Sequence, residues 1–378
     1  MLYLIDGNAY INVAISVTKS ILSRDKSIGR EYYADDIFSN HENKKILKEQ
    51  TRITFRDFCL SYLVSIIAPV HKEVDEVHIV FDSKSWRKEY ISNYFKEQNK
   101  YTTTASVKEF KYKDRKKKDE HIHLFFEYFQ SIISHHLKER AGINFHRIKG
   151  LEGDDILAIL CKTISKNTVV YTVDKDMIQL VRGKEKYVVV IFPKQMSKHK
   201  KIYVPEVTEQ VSETDFFNLD NAVSDSNLEC FENTRKINGY VKYTIDCHED
   251  VLKKIMGGDK SDNIPRLYKM TKSKVEKVCT KIKEKYKGKI LHNLDELNEE
   301  FIEVCVNEMC QLNKIVLEED VKDLREHLLL NIKLIRLSYN MLPENLKNEV
   351  DLNIINNKQY SKFLYHQLLQ VKNKSVLI

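Results

Sequence analysis

The sequence predicts an α/β fold: a mainly parallel sheet flanked by helices, followed by a helical C-terminal region. Three observations carry this reading. Short apolar runs, several closed by an aspartate, alternate with helical spacing through the first half of the chain. Parallel sheets covered on both faces are built by that alternation. From Val275 onward the chain is rich in Lys, Glu and Leu at helical spacing. Only 10 Gly and 5 Pro occur among 378 residues, which favours long helices over a loop-rich fold.

Taken in order, residues 2–5 read as a short buried strand ending at Asp6. Ile53, Phe55, Phe58, Tyr62, Leu63, Ile66 and Ile67 lie at helical spacing, and Pro69 ends that helix. Residues 77–81 form a second strand closed by Asp82, and 143–148 a third before the turn Lys149-Gly150. Ile156, Leu157, Ile159 and Leu160 give the next helix its apolar face. Residues 168–173 form a fourth strand ending at Asp174, and 186–192 a fifth. Between 194 and 247 polar residues dominate and periodicity fades, which reads as an insertion or mobile excursion of uncertain structure. The expected organisation is a core at 1–193, that insertion, and a helical region at 248–378.

The chain carries 62 Lys+Arg against 55 Asp+Glu, a formal net charge of +7. That charge is segregated. Residues 84–118 hold twelve basic and four acidic side chains, and residues 266–289 hold ten and two, so each block is +8. Such runs are commonly solvated faces, but two of them in one chain point to a polyanionic partner. Trp86, Tyr90 and Tyr94 recur every fourth residue and share a helix face, either as core packing or as a stacking surface for bases. The seven cysteines are odd in number and no pair is spaced CxxC, which argues against a disulfide framework or zinc ribbon. No apolar run is long enough to span a bilayer, and the N-terminus lacks a basic leader, so a cytoplasmic protein is expected.

Asp6, Asp82 and Asp174 each close a strand, so a parallel sheet would gather them at its carboxyl edge. Glu152-Gly-Asp154-Asp155 opens the helix after the third strand, Asp174-Lys-Asp176 follows the fourth, and Gly257-Gly-Asp259-Lys-Ser-Asp262-Asn-Ile-Pro adds two acids. Taken singly, each group is more simply a turn or a helix N-terminus. Together they are nine carboxylates with no His or Cys among them. Oxygen-only donors suit hard divalent cations, and acids so crowded need cations to stay ionised.

In order and internal spacing these motifs resemble the flap endonuclease/5′ nuclease family. Within it they look most like the ribonuclease H branch of T-even-type bacteriophages. The residues that carry the resemblance are Leu-Ile-Asp6-Gly, Val-Phe-Asp82 with Trp86-Arg87, Leu-Glu152-Gly-Asp154-Asp155, Thr-Val-Asp174-Lys-Asp176 and Gly-Asp259-Lys-Ser-Asp262-Asn-Ile-Pro. The resemblance covers 1–265 apart from 194–247, and implies a PIN-like sheet with a helical arch at 84–119. It implies two Mg²⁺ ions, replaceable by Mn²⁺. Asp6, Asp82, Glu152, Asp154 and Asp155 would stand on the first-metal side, and Asp174, Asp176, Asp259 and Asp262 on the second. Lys96, Lys100 and Arg87 would act at the scissile phosphate. Lys111, Lys113, Arg115, Lys116, Lys117, Lys118, Arg266, Lys269, Lys272 and Lys274 would bind nucleic acid.

The implied activity is metal-dependent 5′→3′ exonuclease and flap endonuclease cleavage of RNA primers and 5′ flaps. The implied partners are DNA and RNA/DNA duplexes with 5′ single-stranded ends, with a sliding clamp or single-strand-binding protein as candidate replication partners. A monomer is expected, in the host cytoplasm if the chain is phage-encoded. The segment after Pro265 lacks the glycines of the family's hairpin, so its monovalent cation is not carried over. Gln359, Phe363 and Leu364 are a faint docking candidate, with helix packing the simpler reading. Two rivals are a PIN-like single-strand RNase, whose domain would be far shorter, and a decayed DNA-binding scaffold, which would have lost carboxylates.

Overall fold

A computed structural model describes residues 1–24, 37–41, 44–68, 71–72, 74–98, 110–113, 121–181, 188–192, 200–205, 240–245, 247–286, 289–356 and 360–373. The chain opens with β1 (Leu2–Asp6), α1 (Gly7–Arg24), an antiparallel ribbon of β2 (Phe38–His41) and β3 (Lys44–Leu47), and α2 (Glu49–Ile67). β4 (Glu76–Val80), α3 (Trp86–Gln98), α4 (Ile122–Tyr128), α5 (Ser134–Ala141), β5 (Ile143–His146), α6 (Gly153–Thr163), β6 (Thr168–Tyr171) and β7 (Val188–Phe192) continue the expected alternation. Then come β8 (Lys200–Pro205), β9 (Tyr240–Ile245), α7 (Cys247–Gly257), α8 (Lys272–Tyr286) and α9 (Ile290–Asp295). α10 (Glu299–Asn313), α11 (Glu318–Ile335), α12 (Glu344–Val350) and α13 (Tyr365–Asn373) complete the chain.

The sheet runs β5-β4-β1-β6-β7-β8-β9, parallel throughout except between β7 and β8. Helices cover both faces, so the central strands are buried almost continuously rather than in alternation. In the register of β1 and β4, Asp6 lies opposite Val80, and Asp82 follows two residues later. Thr172 and Asp174 follow β6 in the same direction. Parallel pairing therefore delivers these acids to one edge, as expected.

β8 and β9 lie within 194–247, the segment whose structure the sequence left undetermined. Lys-Lys-Ile-Tyr-Val-Pro and Tyr-Val-Lys-Tyr-Thr-Ile pair with each other in parallel and extend the sheet. Their β-prone runs are short and stand far apart in sequence, so local periodicity could not reveal the pairing.

The aromatic stripe on α3 is packing, not a stacking platform. Trp86 is buried in the core under α6, and Tyr90, Tyr94 and Phe95 pack against the core of the C-terminal helices. Lys333 of α11 sits 5.3 Å over the Tyr90 ring. Phe363 is likewise buried, and its N–H donates to Asp75 O at 2.7 Å, so helix packing rather than docking describes it. Gln359 lies outside the described residues. No helix among the described residues is long and apolar enough to cross a membrane.

One polar pair lies inside the β4–β5 edge. His78 Nδ1 and His146 Nε2 are 2.8 Å apart, the rings stack, and Tyr360 meets both edge-on. Burial, with the His78 charge adding, pushes His146 down to about 3. Burial lowers His78 as well, against the pull of Glu76. A histidine depressed in the folded state favours unfolding once pH falls below its ordinary value of about 6.5. Unfolding free energy should therefore fall by up to about 1.4 kcal/mol per pH unit from His146 alone as pH drops toward 3. Urea unfolding at pH 7.5 and pH 5 checks this: wild type should lose more than His146→Gln, and equal losses would refute it.

Candidate active site

The edge is assembled by hydrogen bonds that aim each acid. Asp6, at the end of β1, accepts from Ala9 N–H at 2.9 Å and Thr172 Oγ1 at 2.8 Å. The same Thr172 hydroxyl accepts from Asp174 N–H at 3.0 Å, so one side chain links the ends of β1 and β6. Asp82 accepts from Gly153 N–H at 2.7 Å and from Asn8 Nδ2. A Cβ on Gly153 would stand 2.9 Å from Asp82 Oδ1, so the glycine lets the α6 N-terminus approach the acid. Asp154 and Asp155 occupy the first turn of α6, where backbone N–H groups favour negative charge. Asp174 accepts from Asp176 N–H at 2.9 Å in the next turn.

The remaining two acids arrive from the C-terminal region. After α7 the chain folds back so that Asp259 and Ile264 exchange N–H···O bonds of 2.9 and 2.8 Å. Gly258 makes this turn with φ +73°, and a Cβ there would lie 2.6 Å from Arg266 N and Ile264 O. No L side chain fits that position without strain. Asn331 of α11 fastens the turn from behind, donating to Ile255 O at 2.8 Å and Pro265 O at 3.0 Å.

Charge on this edge is far from neutral. Burial raises Asp6 to about 6, with Asp82 and Asp174 adding to the rise. Burial also raises Asp82, with Glu152 adding. Asp154 is pushed well above the carboxylate range by burial first, then by Asp174, Asp6 and Asp82. Glu152 goes the other way: Arg87 and Lys113 outweigh its burial and hold it at about 2. Asp259 is also lowered, because Ser261 and Lys254 outweigh its burial.

Three cations stand among the acids. Arg87 is fully buried; it forks onto Asp155 at 2.7 and 2.9 Å, reaches Glu152 at 3.0 Å and donates to Leu334 O at 2.9 Å. Lys113 Nζ lies 2.6 Å from Glu152 Oε1 and 3.6 Å from Asp262 Oδ2. Lys254 bridges Asp176 and Asp259. Among the described residues, no three His, Cys, Asp or Glu side chains are arranged to hold a metal ion. The donor chemistry nevertheless fits a hard divalent cation. All nine groups offer oxygen, and the raised acids mark negative charge that the fold leaves uncompensated.

Two of the residues singled out in the sequence have partners that the sequence did not suggest. The buried Arg87 guanidinium is turned inward onto Leu334 O, Glu152 and Asp155, so it holds those two acids in place. Asp155 has both oxygens engaged by Arg87 and takes Trp86 Nε1 at 3.1 Å, which makes it the anchor of Arg87. Lys113 faces the acids instead of solvent. Lys96 is exposed in the last turn of α3, and Lys111, Arg266, Lys269 and Lys272 are exposed as expected. Lys274 donates to Asn313 at 2.7 Å. Lys100, Arg115, Lys116, Lys117 and Lys118 lie outside the described residues. Asn8, Thr172, Tyr112 and Lys254 were missed. Polar side chains beside an acidic motif are too common to be a signal, and only the turn after Gly257 brings Lys254 to Asp259.

Removing one partner of a buried ion pair leaves a charge with no compensation. Arg87→Ala should therefore lower unfolding free energy by about 3–5 kcal/mol. Denaturant unfolding without added metal is the check, and a loss below about 1 kcal/mol would return Arg87 to a role in substrate contact.

The profile of the 5′-3′ exonuclease N-terminal resolvase-like domain matches residues 1–212. No curated protein sequence matches. Among similar solved structures is a bacteriophage T5 protein co-crystallized with metal ions, at 12% identity and TM-score 0.45, covering 100% of this chain and 98% of that one. Another is a variant T5 flap endonuclease in a pseudo-enzyme-product complex with DNA and metal ions, at 13% identity and TM-score 0.44, covering 100% and 99%. The T5 5′-exonuclease with bound zinc matches at 13% identity and TM-score 0.44, covering 100% and 98%. By the profile match, which spans more than half its length, this chain belongs to the 5′-3′ exonuclease family of nucleases.

Proposed function

We propose that the chain is a divalent-metal-dependent 5′→3′ exonuclease and flap endonuclease that cleaves phosphodiesters of RNA primers and 5′ flaps on duplex DNA. One observation carries the reading. Inside a nuclease domain, acids from separate chain segments share one sheet edge and raise one another's pKa. Asp6, Asp82, Glu152 and Asp154 would hold one cation, and Asp174, Asp176, Asp259 and Asp262 a second. Mg²⁺, or Mn²⁺ in its place, would supply a water nucleophile at neutral pH and stabilise charge on the leaving oxygen.

The protein's own groups do the positioning. Asn8 and the Gly153 N–H fix the two oxygens of Asp82, while Ala9 and Thr172 fix those of Asp6. Arg87 and Asp155 lock the N-terminus of α6, from which Asp154 projects. Lys96, with Lys100, would set positive charge near the scissile phosphate, where charge grows in the transition state. Lys111, Arg266, Lys269 and Lys272 would contact backbone phosphates on the duplex side. The protein would act as a monomer in the cytoplasm where DNA is copied, with a sliding clamp or single-strand-binding protein as candidate partners.

A 5′-labelled set of flap, nicked and RNA-primed duplexes tests the activity, with and without a chelator. Asp82→Asn and Asp176→Asn should each slow single-turnover cleavage by about a hundredfold or more, with duplex affinity within about threefold of wild type. Near-normal turnover at saturating Mg²⁺ would sink the metal assignment. Binding rests on separate groups, so its salt dependence is a second measurement. Affinity for a flap duplex in chelator should fall with a log–log slope of about −0.9 per phosphate neutralised. A slope near zero would mean that both basic blocks are ordinary solvated surface.

A further inference from the structure

We propose that Asn331 is a positioning residue for the second cation: its carboxamide clamps the two stems of the turn that carries Asp259 and Asp262, and so sets the affinity of those acids for metal. The proposal rests on the metal reading given under the proposed function and adds which remote group shapes one half of that site.

Asn331 is fully buried on α11, and its Nδ2 donates to two carbonyls, Ile255 O at 2.8 Å and Pro265 O at 3.0 Å. Ile255 lies in the last turn of α7, where carbonyls have no partner within the helix. Pro265 directly follows Ile264, so the amide joins the chain entering the turn to the chain leaving it. Backbone bonds close the same neck. Asp259 and Ile264 exchange theirs, and Leu267 N–H donates to Met256 O at 3.1 Å. Inside the neck, Asp259 accepts from Ser261 N–H at 2.8 Å, and Asp262 is buried a few residues on. Packing alone does not explain an amide at this place. Asn331 Oδ1 is buried with no hydrogen-bond partner among the described residues. An unpaired buried acceptor is costly, and a leucine of similar shape would avoid it. What the amide supplies is its pair of N–H donors, and both are used on the turn.

The helix that carries the amide is tied to the other acids as well. Just beyond Asn331, Leu334 O accepts from Arg87 Nε at 2.9 Å and Ile335 O accepts from Gln179 Nε2 at 3.2 Å. Arg87 holds Glu152 and Asp155, and Gln179 closely follows Asp176. Residues 331–335 thus form one frame to which three acidic segments are fastened. Removing the Asn331 donors releases the Asp259 turn from that frame and leaves the other two attachments in place. Ligands that must be ordered on binding hold a metal more weakly than ligands already in place. The loss should therefore fall on one cation and not on both.

Calorimetric titration of Mn²⁺ into metal-free, full-length protein at pH 7.5 reads this. Asn331→Leu removes both donors and keeps the shape; one cation should bind about tenfold or more weaker, and the other within about threefold of wild type. Duplex affinity in chelator should stay within about threefold, and the single-turnover rate should recover as Mn²⁺ is raised. A merely structural role would instead lower melting temperature and duplex affinity and leave the Mn²⁺ titration as it was. Both cations unchanged, or both weakened alike, overturns the role of Asn331. A wild type that binds no Mn²⁺ overturns the metal reading itself. Hydrogen exchange read by mass spectrometry needs no variant. In the metal-free wild type, the amides of Asp259, Ile264 and Leu267 should exchange about a hundredfold or more slower than those of an unstructured chain. Fast exchange that slows only when Mn²⁺ is added would mean that the metal shapes the turn, and refutes the clamp.

Discussion

Crowding of like charge at the carboxyl edge of a buried sheet is the constraint on which the rest of the structure depends. Parallel pairing of β4, β1 and β6 leaves Asp6, Asp82 and Asp174 no choice but to emerge together. Burial then magnifies their repulsion, which is why Asp6 and Asp154 resist ionisation. The fold offsets the cost with a buried arginine, two lysines and a helix N-terminus, each tied to specific carboxylates. Those devices come from distant parts of the chain, so the acidic edge also dictates how the remote parts must meet.

Arg87 shows how far that coupling extends. It leaves α3 at its first turn, forks onto Asp155 of α6, and donates to Leu334 O near the end of α11. A single side chain thereby fixes the start of α3, the acidic helix and the C-terminal region relative to one another. Arginine suits the post because its planar fork matches a carboxylate and has a donor to spare. Neighbouring contacts reinforce it. Arg336 and Gln179 join the end of α11 to the turn after Asp176, with Arg336 Nη1 2.7 Å from Gln179 Oε1. The helices after residue 247 are thus fastened to the acidic edge.

Much of this was legible in the sequence, for definite physical reasons. Strands that are buried on both faces read as unbroken apolar runs, so β1, β4, β6 and β7 stood out, and an aspartate ending such a run marks the sheet edge. The Gly-Asp-Lys-Ser-Asp-Asn-Ile-Pro run was legible as two further acids and through its resemblance to the family motif, while the left-handed Gly258 that shapes its turn appears only in the fold. What escaped depends on contacts between remote segments. β8 and β9 are defined by each other across a long polar stretch. Arg87 and Lys113 carry the same charge as their exposed neighbours, and nothing local says which cation will turn inward. Trp86, Tyr90 and Tyr94 announced a shared face without saying what would cover it.

The same limit applies to the basic blocks, whose +8 charge overstates what a polyanion would meet. Arg87 of the first block is spent on Asp155 and Glu152. In the second, Lys281 pairs with Glu308, and Lys283 with Glu249. A lysine that keeps its carboxylate neutralises no phosphate, because the partner's charge stays beside it. In the second block, Lys272 at the start of α8 and Lys269, which lies over the Tyr268 ring, are exposed. Both follow closely on the turn that carries Asp259 and Asp262, so the exposed positive charge of this block adjoins that turn in the chain.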